Sequence, residues 1–246
     1  MKISIYAACH KRFEKPFGWK TRFLDYIRYL EVGAFYHEEA FCELRDDTGD
    51  SISDRNRTYN ELTGQYWIWK NDTDSEILGL CHYRRYFEDP RKKNWSSPFL
   101  KLLRPGRIKE ILREYDFIGI KTGPFEMSCR DRIDTPVSAL RTKDIPIVRE
   151  ILFEKYGKDC AEAFDTILDR NWNYLYNMFI TSKEKFDAYS EWLFPVLEEI
   201  EKRIDAEELV GQEKRIVGLW GEYLLNVFLE VKRYSVYDTD FIYFDI

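Results

Sequence analysis

The sequence predicts an α/β fold: one domain with a mainly parallel central sheet and a helical C-terminal half. Three observations carry that expectation. Short apolar runs at residues 3–8, 77–81 and 116–120 read as buried strands bounded by polar turns. Helical patterns alternate with these runs, as strand–helix–strand units require. The chain shows no internal repeat, low-complexity tract or linker, and its 246 residues are enough for one large core.

Each element follows from local pattern. The first strand, 3–8, ends in Cys9-His10-Lys11. Residues 20–45 give no assignable period, and 46–51 form a turn cluster of Asp, Thr, Gly and Ser. Ser53 is placed to cap a helix running to about Lys70, with Tyr59, Leu62, Tyr66 and Trp69 on one face. Polar residues 71–74 stop it, and the second strand then runs straight into His82-Tyr83-Arg84-Arg85-Tyr86-Phe87. Residues 91–107 read as a basic loop, 108–115 as a short helix and 116–120 as the third strand. Amphipathic helices are expected over 144–156 and 159–170, a strand over 176–180, and a long helix over 183–204 that Pro195 is expected to kink. A last helix covers 213–229 and a terminal strand 241–244.

Composition excludes several classes. With 44% apolar and 17% aromatic residues, a disordered or fibrous chain is ruled out. A net charge of −6 argues against a general nucleic-acid binder. The five cysteines contain no CxxC pair and the three histidines no HxxxH spacing, so no thiolate or histidine metal site is expected. Dispersed cysteines fit reduced thiols in a cytoplasmic protein. The N-terminal apolar run is too short for a signal peptide, and no stretch reaches the ~20 apolar residues that span a bilayer.

Few residues stand out chemically. His82, Arg84 and Arg85 follow a buried strand directly, and ligands of open α/β sheets bind outside strand carboxyl ends. Two guanidiniums there match the oxygens of a diphosphate; two solvated arginines paired with acids are the plain alternative. His10 and Lys11 sit in the same way after the first strand. Asn56 and Glu61 are polar members of an otherwise aromatic helix, in which the rings read as core. Glu222 is a lone acid among Gly, Leu, Trp and Tyr, where burial raises a carboxyl toward the range of a general base unless Arg215 pairs with it. The 91–107 loop holds six basic residues interleaved with Trp95, Phe99, Leu100, Leu102 and Leu103, a pattern suited either to an anionic membrane surface or to packing on the body.

Several blocks together carry a resemblance: Thr48-Gly49-Asp50-Ser51-Ile52-Ser53, then Asn56 and Tyr59, then Glu61-Leu62-Thr63-Gly64-Gln65-Tyr66-Trp67-Ile68-Trp69-Lys70-Asn71, then Cys81-His82-Tyr83-Arg84-Arg85-Tyr86-Phe87. With His10-Lys11, the strand at 115–118, Tyr176-Asn177-Met178-Phe179-Ile180 and the 218–226 helix, the chain resembles the DUF4422 family along its whole length. That resemblance implies a GT-A-like, Rossmann-like fold and a glycosyltransferase of capsular polysaccharide, exopolysaccharide or O-antigen synthesis. It implies a nucleotide-sugar donor, UDP-linked, a sugar such as galactofuranose or another hexose, and a lipid-linked oligosaccharide acceptor. The enzyme would then work in the cytoplasm, peripherally at the inner face of the membrane through residues 91–107.

The resemblance also implies roles. Ala7, Ala8, His10, Lys11, Asn56, Tyr59 and Thr63 would contact the donor, Asn177 and Asp116 the sugar or acceptor, and Glu222 would be the base, with Asp131 and Asp134 as unplaced acids. Folds of this kind usually hold a divalent metal, Mn²⁺ or Mg²⁺, on a DxD motif at a strand end. Here the strand ends in His82-Tyr83-Arg84-Arg85, while Asp72-Thr73-Asp74 and Asp238-Thr239-Asp240 fall elsewhere in the order. No metal ligand is therefore assigned, and the arginines, with His82 and Lys11, are expected to neutralise the diphosphate. A non-catalytic nucleotide- or carbohydrate-binding protein is the alternative, and a phosphate-handling hydrolase, lacking a P-loop, ranks below it.

Overall fold

The structure is a computed structural model that describes residues 1–133, 135, 138–204, 209 and 211–246. In chain order its elements are β1 (Ile3–Cys9), β2 (Ile27–Glu31), β3 (Leu44–Arg45), α1 (Asn56–Tyr59), α2 (Leu62–Asn71), β4 (Ile77–His82) and β5 (Arg85–Phe87). Then come α3 (Pro98–Lys101), α4 (Pro105–Ile111), β6 (Phe117–Thr122), α5 (Cys129–Ile133), α6 (Ile145–Tyr156), α7 (Lys158–Asp169) and β7 (Asn173–Ser182). The chain closes with α8 (Lys183–Arg203), α9 (Ile216–Lys232), β8 (Val236–Thr239) and β9 (Phe241–Tyr243).

The main sheet has the order β3-β2-β1-β4-β7-β6-β8. All of these strands run in one direction except β7, which is antiparallel to both β4 and β6. The mainly parallel sheet and helical second half are thus as expected. Strand β4 turns back at Tyr83-Arg84 into β5, which pairs with β9 at the end of the chain.

Both faces of the sheet are covered, which is why β1 and β4 read as unbroken apolar runs. Alternate residues serve opposite faces. Tyr6, Ala8, Leu78 and Leu80 share one core with helices α2, α6, α7, α8 and α9, which contribute Ile68, Ile151, Phe164, Phe186, Leu193, Trp220 and Phe228. Ile5, Ala7, Cys9 and Cys81 face a second core closed by Phe17, Leu24, Leu102, Leu103 and Ile108.

Four local expectations are corrected. The unassigned stretch 20–45 contains β2, a parallel strand between β3 and β1; Arg28 and Glu31, three residues apart, interrupt its apolar run and hide the period. The helix expected over 53–70 breaks at Asn60, whose φ is +52°. Ser53 does not cap it; its hydroxyl donates to Asp46 instead. The 91–107 segment is part helical, and five of its six basic side chains pair with carboxylates of the body, among them Lys93 with Asp240 and Lys101 with Glu88. Leu102 and Leu103 are buried, while Trp95 and Leu100 stay exposed. None of the helices in the described residues is long and apolar enough to cross a membrane.

Candidate active site

Strand order reverses at β1: the chain passes from β1 to β2 on one side, and β4 adds on the other. A crevice opens at the carboxyl ends of strands where the order switches in this way. Here it is a cleft of about 620 Å³, with Ala8 and His10 from the end of β1 and His82, Arg84 and Arg85 from the β4–β5 turn. Asn56, Arg57, Asn60 and Glu61 line it from the broken helix, Tyr176 from β7, and Gln212, Arg215 and Glu222 from the start of α9 and the turn before it.

The backbone of β7 organises the centre. Tyr176 and Asn177 have φ values of +71° and +51°, left-handed conformations rare for residues with side chains. They bulge where the β6–β7 register shifts. The bulge turns both polar groups of Tyr176 onto side chains of the cleft. Its carbonyl accepts from His82 Nε2 at 2.8 Å, and its N–H donates to Glu222 Oε2 at 2.9 Å. A carbonyl oxygen only accepts, so Nε2 of His82 carries the proton.

Asn177 is buried just behind. Its amide donates to Glu61 Oε1 at 2.7 Å and to the Gly218 carbonyl at 3.1 Å. Helix α9 comes this close because residues 218 and 221 are glycine: a Cβ at 218 would meet Asn60 Nδ2 at 2.3 Å and the Tyr59 carbonyl at 2.8 Å. Asn60 also anchors Arg215, accepting from its Nε at 3.1 Å.

The electrostatics follow. Burial first, and the nearby Glu61 charge second, push the Glu222 carboxyl up to about 7; the Tyr176 N–H, Arg215 and Arg85 act against this. His10, against the Tyr83 ring, is lowered by desolvation and then by the charges of Arg84, His82, Lys11 and Arg215. Arg57, Arg84, Arg85 and Arg215 have no ion-pair partner among the described residues. They rest on neutral groups: Arg57 on Tyr36, Arg84 on the Tyr243 hydroxyl, Arg85 on Tyr176 at 4.9 Å, and Arg215 on Asn60 and Gln212. Arg85 Nε is buried without a hydrogen-bond partner. Cations left unpaired around a cleft are suited to an anionic ligand.

Of the residues singled out in the sequence, Ala8, His10, Asn56, His82, Arg84, Arg85 and Glu222 line this cleft. Others lie elsewhere. Ala7 faces the opposite core, as the period of two demands. Lys11 is exposed beyond the cleft wall. Tyr59 is buried and donates to Glu201, and Thr63 is buried and donates to Asp46, so both hold the fold together rather than facing a donor. Asp116 stands before β6, at the opposite end of the strands, held by Lys185 at 2.8 Å. Asp131 is exposed on α5, bonded to Ser128, and Asp134 lies outside the described residues. Arg215 is a lining cation and not the partner of Glu222. Arg57 and Gln212 line the cleft too, and their only signal is their place in the folded chain.

Among the described residues no group of three or more His, Cys, Asp or Glu side chains converges to hold a divalent metal. Asp72 is bonded to Tyr6 and Ser75, Asp238 to Tyr174 and Lys121, and Asp240 to Lys93. The strand end nearest the cleft presents cations.

This architecture has a solved counterpart. The chain superposes on an apo structure titled a WbbM bifunctional glycosyltransferase with a TM-score of 0.86 and 26% identity, along all of its own length and 46% of that chain. It therefore spans about half of that protein. No curated protein matches the sequence. The domain of unknown function DUF4422 matches residues 4–233, and with that extent the chain belongs to the DUF4422 family.

Proposed function

We propose that this protein is a glycosyltransferase that transfers a hexose from a nucleotide-sugar to an acceptor hydroxyl. The observation that carries the reading is the juxtaposition in one cleft of an unpaired arginine pair, Arg84 and Arg85, with a half-buried carboxylate, Glu222. The likeness to a glycosyltransferase structure over the whole chain supports it.

The diphosphate of the donor lies against Arg84 and Arg85 at the end of β4. Its bond to the sugar breaks with the electron pair going to the nucleoside diphosphate, and fixed guanidiniums stabilise that growing charge without reorganising. The acceptor oxygen forms the new bond to the same carbon and releases its proton to Glu222. Tyr176 N–H fixes the Glu222 oxygen that is not receiving the proton, and His82 fixes Tyr176 in turn. A carboxyl near 7 is well matched to this task, since the best base titrates near the working pH. No step requires a metal.

The test is a screen of UDP-, GDP- and dTDP-hexoses with the purified protein, reading release of the nucleoside diphosphate. Glu222→Gln is expected to bind the active donor normally and to lose at least 100-fold in turnover. Chelation with EDTA is expected to leave the rate unchanged. Release by Glu222→Gln at the wild-type rate, or a rate abolished by EDTA and restored by Mn²⁺, contradicts the proposal.

A further inference from the structure

Two carboxylates line the cleft, Glu61 and Glu222, and the transfer described above uses only the second. We infer that Glu61 selects the transferred sugar: its open oxygen accepts a hydroxyl of the hexosyl group while the diphosphate lies against Arg84 and Arg85.

The chain holds Glu61 in place from both sides. Asn60 breaks the helix with a φ of +52°, and Glu61 then stands at the cleft immediately before α2. Asn60 is tied to Arg215, donating to its carbonyl at 3.2 Å and accepting from its Nε at 3.1 Å. Leu62 is fully buried against α9, where Gly221 lets it approach. One oxygen of the carboxylate is pinned as well: Oε1 accepts from Asn177 Nδ2 at 2.7 Å. The same nitrogen donates to the Gly218 carbonyl at 3.1 Å. Both partners are acceptors, which settles the orientation of the amide. Asn177 is itself only 1% exposed, so the anchor comes from the packed interior.

The other oxygen, Oε2, is free. It has no hydrogen bond or ion pair among the described residues, and it is not sealed off: Glu61 is half-buried and Oε2 keeps accessible surface. Four arginines line the same cleft, and none of them pairs with Glu61. A carboxylate with one oxygen fixed and the other open is preorganised to accept from a donor on a ligand. An ionised phosphate has no donor to give and would be repelled. A hexosyl ring offers several hydroxyls.

Position decides which part of the donor meets it. Tyr176 and Asn177 are consecutive; the peptide N–H of the first holds Glu222 and the side chain of the second holds Glu61. The two carboxylates stand close enough for the charge of Glu61 to bear on Glu222. Glu222 takes the proton of the oxygen that attacks the anomeric carbon, so the ring carrying that carbon, the transferred hexose, lies beside both. The ribose is across the diphosphate from that ring. A site that hydrogen-bonds a substrate hydroxyl discriminates strongly against analogues lacking it, which makes Glu61 a determinant of donor choice.

This inference rests on the glycosyltransferase reading for the identity of the donor, and the experiment separates the two. Calorimetry measures binding of the tightest of the UDP-, GDP- and dTDP-hexoses, of its monodeoxy analogues at each ring hydroxyl, and of the free nucleoside diphosphate. The proteins are the wild type, Glu61→Gln and Glu61→Asp. Gln keeps an oxygen for Asn177 and replaces the open acceptor by an NH₂. Asp draws the carboxylate back by one methylene and serves as the independent variant should Glu61→Gln not fold. Loss of one hydroxyl is expected to weaken binding to the wild type by roughly tenfold or more, as for a hydrogen bond to a charged group. The same loss is expected to cost either variant less than about twofold, so the two deletions do not add. Both variants are expected to bind the nucleoside diphosphate no more weakly than the wild type. If every deoxygenation costs the wild type and the variants alike, or if Glu61→Gln weakens the nucleoside diphosphate, which would put the ribose there instead, the inference is overturned. Non-additivity without transfer to any acceptor sinks the transferase reading and leaves the sugar contact standing. Transfer without non-additivity does the reverse.

Discussion

Glu222 is held in tension: the fold strips it of much of its water beside Glu61, yet gives it one N–H to lean on. A carboxyl raised to about 7 when folded, from its ordinary 4.5, binds a proton more tightly in the native state. Its contribution to stability is therefore full below the unfolded value and is lost as pH rises from about 4.5 through 7. Glu222→Gln removes the penalty. The variant is expected to be more stable than wild type at pH 8, by up to roughly 2 kcal/mol, and nearly equal to it at pH 5. Urea unfolding at the two pH values checks this. In the same window kcat/KM of the wild type is expected to rise with pH to a plateau above an apparent value near 7, because only the ionised carboxylate accepts the proton. Glu222 stood out in the sequence because it is a lone acid within the stretch 218–226. Tyr176 did not, since it acts through its peptide group and its signal is a backbone angle. Thr63 misled for the opposite reason: a hydroxyl in a distinctive motif is as readily used to hold Asp46.

At the scale of elements, the site depends on how closely α9 approaches the break between α1 and α2. The two glycines of the Gly218-Leu219-Trp220-Gly221 run make that approach, and they differ in what an added methyl would meet. At 221 it meets the tip of Leu62 at 2.6 Å, a side chain that can swing; at 218 it meets the Tyr59 carbonyl at 2.8 Å, which cannot. Gly218→Ala is expected to destabilise by about 1–3 kcal/mol through overpacking, and Gly221→Ala by less. Gly218→Ala also pushes on Asn60 and so on Arg215, and its activity is expected to fall at least tenfold while the fold persists. Chemical denaturation and turnover of the two variants measure the difference. The glycine spacing was visible in the sequence; its meaning was not, because Asn60 appeared to lie within one long helix. Likewise β2 escaped notice, since a strand carrying Arg28 and Glu31 shows no clean alternation, whereas β1, β4 and β6, buried on both faces, announced themselves as apolar runs.

Across the whole molecule, the excess of acid over base makes the cleft cations more informative, not less. A chain of net charge −6 pairs five of the six basic residues in the 91–107 segment, yet leaves Arg57, Arg84, Arg85 and Arg215 without carboxylate partners among the described residues. The order of the strands brings these residues to one place from three distant parts of the chain, and that convergence is what no local pattern could reveal. The most direct measurement is calorimetric titration of the wild type, Arg84→Ala and Arg85→Ala with UDP, GDP and dTDP, each with and without EDTA. The account predicts that at least one nucleoside diphosphate binds the wild type equally well in chelator, and that each substitution weakens it about 10- to 100-fold, the loss of roughly 1.4–2.8 kcal/mol expected for a charge-assisted contact. Binding unchanged in both variants, or binding that vanishes with EDTA and returns with Mn²⁺, would contradict it.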